Sequence, residues 1–104
     1  MIQTLPELYK IVEAMPLATD AAGRTGDYVS LKNAIACFVK VSIAQGNAAT
    51  IAITIEQATA VAGTGSKTIT VAVPIWSNLD TAASDTLVRR TDAVSYTTDA
   101  GVKN

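Results

Sequence analysis

A chain of 104 residues carrying a net charge of −1 builds one domain with one thin core, because 49% of it is apolar, only 16% is charged, and Ala and Thr supply about a third of the whole. An ordinary soluble domain holds about 25% charged residues, so this bland surface favours association over life as a free monomer. The absence of histidine and the presence of one cysteine remove most general-base, metal and disulfide chemistry. Basic residues are scattered apart from Arg89 and Arg90, which speaks against nucleic-acid binding. No apolar run approaches the roughly 18 to 20 residues of a membrane helix.

Residues 1–16 read as an N-terminal arm or edge strand. Leu5, Leu8, Ile11, Val12 and Met15 fit helical spacing, and Thr4 ahead of Pro6 and Glu7 suits a short helix. The β-branched pair Ile11 and Val12 favours a strand instead. Pro16 ends either element, because it lacks an N–H and forces Met15 extended. There is no positively charged start or apolar core of a signal peptide here, so the expectation is synthesis in a cytoplasm.

Residues 17–27 form a loop punctuated by Gly23 and Gly26, and 28–31 a short strand ended by Lys32 and Asn33. Three long runs follow, at 35–43, 50–56 and 67–73. Apolar residues occupy 35, 37, 39, 41 and 43, then 51, 53 and 55, then 69, 71 and 73. That period of two predicts strands with one buried face. Gly46 and Asn47 predict a hairpin between the first two runs, and residues 57–66, holding Gly63 and Gly65, a looser excursion to the third.

Pro74 stops the third run, and an irregular stretch with the single tryptophan, Trp76, succeeds it. Residues 81–90 suit a helical turn or a loop, with Ser84 placed to cap it. Residues 93–98 read as a strand with Val94 and Tyr96 on one face and Ser95 and Thr97 on the other. A turn at 99–101 leads to what looks like the start of another strand at 102–104. The predicted fold is a single all-β domain over 1–104. It is an antiparallel meander or β-sandwich, jelly-roll-like, of six or seven strands, with an extended or short-helical N-terminal segment.

Reactive constellations are missing. Gly63, Gly65, Ser66 and Lys67 lack the spacing of a phosphate loop, and a strand follows where a helix would be needed. Six of the nine acidic residues fall in expected turns, where carboxylates cap local amides. Ser30 with Lys32, and Ser66 with Lys67, are the nearest approaches to a Ser–Lys pair. Adjacent strand residues such as 66 and 67 point to opposite faces, so those two make no such pair. No catalytic, cofactor-binding or metal site is expected, and the protein is read as no enzyme. Cys37, alternating with Ile35 and Val39, is expected to be a small core side chain. The interface candidates are Tyr9, Ile75, Trp76, Arg89 and Arg90. Tryptophan beside an apolar neighbour after a strand anchors many interfaces, although a core plug is an equal reading. The arginines suit acidic groups on a neighbouring subunit or a solvated face.

Residues 27–33 (DYVSLKN) and 54–65 (TIEQATAVAGTG) together resemble a group of small virion structural proteins of tailed bacteriophages, and residues 89–98 and 101–104 fit the same pattern. The resemblance covers most of the chain from about Tyr9 onward. It implies a β-sandwich-like domain in the phage head, as a capsid decoration protein or a neck or tail component. The implied partners are the major capsid protein or other virion proteins, and further copies of itself in a trimer or other ring. It implies no nucleic-acid or membrane partner, and assembly in the host cytoplasm. Proteins of this group continue past residues 102–104 with further apolar strands. The expectation is therefore either a short member or one lacking a C-terminal part, with a sheet edge left open. A small β module that binds a glycan or peptide is the alternative from another class.

Overall fold

The computed structural model describes residues 9–19, 22–46 and 49–101. Among these it has six short strands and no helix: β1 (Ala52–Thr54), β2 (Glu56–Gln57), β3 (Lys67–Thr68), β4 (Trp76–Ser77), β5 (Val88–Arg89) and β6 (Ser95–Thr97). All pairings are antiparallel, in two-stranded ladders: β1 with β6, β2 with β3, and β4 with β5.

The ladders belong to three longer runs, 51–57, 67–77 and 88–98, joined in a triangle. Run 51–57 gives its first half to the last run, Ala52 opposite Thr97 and Thr54 opposite Ser95. Its second half goes to the middle run, Glu56 opposite Thr68, and Ile69 N–H donates to Ile55 C=O at 3.1 Å. The middle run then turns its far half to the last one, Trp76 opposite Arg89, with Val73 bridging Ala93. Each run therefore serves both others, and strand geometry breaks where a run changes partner, at Ile55 and near Ala93.

A bulge marks the second break. From Arg89 to Ala93 the chain takes four steps against three from Trp76 to Val73, so one residue is extra. Before it the half-buried position is Arg90, and beyond it come Ala93, opposite Val73, and then Val94, Tyr96 and Thr98, while Arg89, Ser95 and Thr97 stay exposed.

The interior of the triangle is formed by Ile51, Ile53, Ile55, Ile69, Val73, Ile75, Val94 and Tyr96, all half-buried. The alternation read from the sequence is thus realised at 51, 53 and 55, at 69 and 73, and at 94 and 96. Val71 departs from it and is exposed, because it lies between the two pairings of its run. No described side chain is fully buried. The chain exposes 8718 Å², whereas a compact protein of its 10.8 kDa exposes about 5,500 Å². Its radius of gyration is 15.3 Å against about 13 Å for a closed domain of this length.

Several expected elements are not strands. Residues 35–43 pair with nothing in the ladders, and 50–56 takes its partners from 95–98 and 67–69 instead. Gln45 is drawn to the end of the last run: its amide donates to Asp99 C=O at 2.7 Å and to Ala49 C=O, and Thr98 Oγ1 donates to Gln45 Oε1. Asn47 of the expected hairpin turn lies outside the described residues. Residues 9–16 form neither helix nor strand, and 28–31 is likewise unpaired. The N-terminal helical positions before Tyr9 and the closing segment 102–104 lie outside the described residues. Residues 80–84 make one turn, with Ala83 and Ser84 N–H both donating to Asp80 C=O at 3.1 Å. Ser84 Oγ accepts from Thr86 N–H at 3.1 Å, but strand β5 follows that turn.

Candidate interaction surface

Four of the five residues expected at an interface meet on the β4–β5 ladder. Trp76 and Arg89 are cross-strand partners, and the Arg89 guanidinium carbon stands 5.7 Å from the centre of the Trp76 ring. Directly opposed side chains on one face lie close enough for this contact. The bulge brings Asp92 back toward Arg89, and their ion pair closes at 2.5 Å. Arg89 also donates to Arg90 C=O at 2.6 Å. Arg90 points away from that cluster: its Nε donates to Ser77 Oγ at 2.7 Å, and its N–H donates to Ile75 C=O at 2.8 Å. Trp76 remains 57% exposed while Ile75 is half-buried, so Ile75 faces the interior and Trp76 stands at the surface beside the Arg89 guanidinium. Tyr9, 53% exposed, belongs to the unpaired N-terminal limb rather than to this ladder.

Beside the ladder opens a cleft of about 570 Å³. Ile53, Ile55, Ile75, Leu79, Leu87 and Tyr96 line it, and residues 39–43 form one wall. Lys40 is the one charged side chain among its described lining residues. The interior of the triangle is therefore an open apolar trough that the chain does not itself fill.

Upstream of the wall, residues 35–38 leave the cleft and run free. Ile35 is fully exposed, Phe38 is 91% exposed, and Val39 and Val41 are exposed too. Cys37 is exposed as well, which corrects its expected core position: with no strand paired alongside 35–43, nothing packs over it. Phe38, the one phenylalanine, was not among the residues singled out from sequence, yet it is one of the most exposed apolar side chains. The available signal was an aromatic placed with Lys40 on the even, outward-facing side of the run, where solvent does not favour it.

The N-terminal limb is fastened elsewhere. Tyr28 Oη donates to Glu56 Oε2 at 2.5 Å, and its ring lies against Gly63, whose φ is +83°. Asp27 N–H donates to Ala14 C=O at 2.7 Å, and Arg24 Nη1 donates to Pro16 C=O at 3.0 Å. The loop around Gly63 and Gly65 is a self-contained turn, with Thr59 N–H and Oγ1 both donating to Thr64 C=O at 2.9 Å. Strand β3 follows it, in keeping with a connecting turn.

Among the described residues no three His, Cys, Asp or Glu side chains gather as a metal site, and no helix is long and apolar enough to cross a membrane. No protein-family model, no curated protein and no solved structure matches the chain.

Proposed function

We propose that this chain is a non-enzymatic structural protein of a tailed-bacteriophage particle, most specifically a capsid decoration or cement protein that stabilises the head through contacts between subunits. The observation that carries the assembly part is the surplus surface. About 3,200 Å² more is exposed than a closed chain of this mass would leave, and large apolar side chains such as Leu17, Ile35 and Phe38 are among those exposed. That is more than the roughly 1,000 to 2,500 Å² that each partner gives to one obligate interface. The phage assignment rests on the resemblance of residues 27–33, 54–65, 89–98 and 101–104. The partners are then the major capsid protein and further copies of this chain, in the virion head assembled in the host cytoplasm. Closure into a sandwich accompanies assembly, when neighbours cover the open ladders.

Purified particles test this reading. A fixed, high copy number relative to the major capsid protein supports decoration, and particles lacking the protein should rupture at lower temperature with unchanged shell geometry. A few copies per particle would move the assignment to a neck or tail adaptor. Absence from particles would overturn the virion reading. The cleft favours one second reading, a small module binding an apolar peptide. Carbohydrate fits less well, since Trp76 and three tyrosines are the only amphipathic rings.

A further inference from the structure

We infer that the apolar cleft is filled by residues 35–38 of a second copy of this chain, so that each copy donates a strand to a neighbour and accepts one in turn. Donor and acceptor are both present on one molecule and both unsatisfied. The donor, Ile35, Ala36, Cys37 and Phe38, has strand composition, no charge and no ladder partner among the described residues, and an unpaired strand-forming segment is a template for pairing with another chain. The acceptor is a trough whose described lining holds one charge, Lys40, beside ladders that each keep an open outer edge. A four-residue strand spans about 13 Å and adds to such an edge by main-chain hydrogen bonds, with alternate side chains entering pockets.

Charge and area select a second copy over a foreign partner. A basic segment would lose its hydration without finding an opposite charge among the described lining residues, and Lys40 offers an acidic one a single partner, whereas residues 35–38 bring no charge to desolvate. With a net charge of −1, copies do not repel one another appreciably. The surplus of about 3,200 Å² per chain exceeds the roughly 1,000 to 2,500 Å² that one obligate interface takes from each partner. Two interfaces per copy, one given and one received, account for it, and heterologous contacts of this kind close into rings. The donor cannot reach its own trough in the same way, because residues 39–43 already form the wall.

This inference rests on the assembly reading but is tested on the purified full chain without particles. Two differently tagged populations are mixed under mild oxidation: the native chain, with its single thiol at Cys37, and a C37A variant carrying T81C at the cleft lining. The expected result is a mixed disulfide joining the two tags, which only contact between copies can form. In parallel, Phe38→Asp is compared with the native chain by sedimentation. Phe38 is solvent-exposed in the single chain, so its replacement leaves one copy's packing alone. It should weaken association about tenfold or more, as loss of a buried aromatic anchor does. A native chain that stays monomeric, oligomers that survive Phe38→Asp, or absence of the mixed disulfide would each overturn strand donation. A monomer that still coats particles would leave the decoration reading standing, and a strand-donated oligomer absent from particles would do the reverse.

Discussion

Arg89 lies over the indole of Trp76 with its guanidinium carbon 5.7 Å from the ring centre, and Asp92 holds it there through an ion pair of 2.5 Å. The three residues make a flat, amphipathic platform on the β4–β5 ladder at the border of the apolar cleft. Cation–π contacts at exposed sites contribute about 0.5 to 1 kcal/mol. A double-mutant cycle of Trp76→Ala and Arg89→Ala, read by denaturant unfolding, should return a coupling within that range. Additive effects would show that the two side chains act independently.

Cys37 should react promptly with a thiol reagent in the dissociated chain, because no strand covers it. In the assembled state the same thiol should be protected, with labelling rates falling as protein concentration rises. A thiol equally slow at every concentration would mean that residues 35–38 are covered within one copy.

Gly63 is the glycine whose replacement should hurt. Its φ of +83° disfavours any side chain, and an added Cβ would stand 2.9 Å from the Tyr28 ring. Gly63→Ala should destabilise the fold by about 1 to 3 kcal/mol. Gly46, where a Cβ would meet nothing within 4 Å, is the control, and Gly46→Ala should be neutral within about 0.5 kcal/mol. Equal effects at both positions in thermal unfolding would remove the Tyr28 contact as the cause.

Tyr28→Phe removes the hydrogen bond to Glu56 while keeping the ring over Gly63. The bond is exposed, so the loss belongs at the lower end of the usual range, about 0.5 kcal/mol. Limited proteolysis should nevertheless cut the N-terminal limb faster in this variant, since Tyr28 ties it to β2. Unchanged cleavage would place the tether elsewhere.

Thermal stability should rise with protein concentration, since any partner that binds only the folded chain adds RT ln(1 + [L]/Kd). Dilution should lower the midpoint progressively, and Phe38→Asp should flatten the dependence. A midpoint independent of concentration would indicate a self-sufficient monomer.

Period-two alternation made one side of each run legible from residues alone. Ile51, Ile53, Ile55, Ile69, Val73, Val94 and Tyr96 turn inward as their spacing requires, because the pleat is a local property of the backbone. The β4–β5 cluster was equally visible through its residue types: one tryptophan and two adjacent arginines are conspicuous in a chain with so few charges. Partner choice was another matter. Gly46 and Asn47 carry a hairpin signal, yet run 50–56 pairs with 95–98 and 67–69, because a turn signal bears only on neighbours in sequence while edge pairing is decided by every strand that can reach. The strand at Val88–Arg89 arises for the same reason. Residues 81–90 carry no alternation of their own, and β5 exists because β4 offers it an edge and the bulge before Ala93 sets its register. Cys37 and Phe38 mark the boundary most sharply. Sequence determined that 35–43 favours extended pairing, but only the tertiary structure decided that no strand of its own chain would meet it, since the three runs of the triangle satisfy one another first.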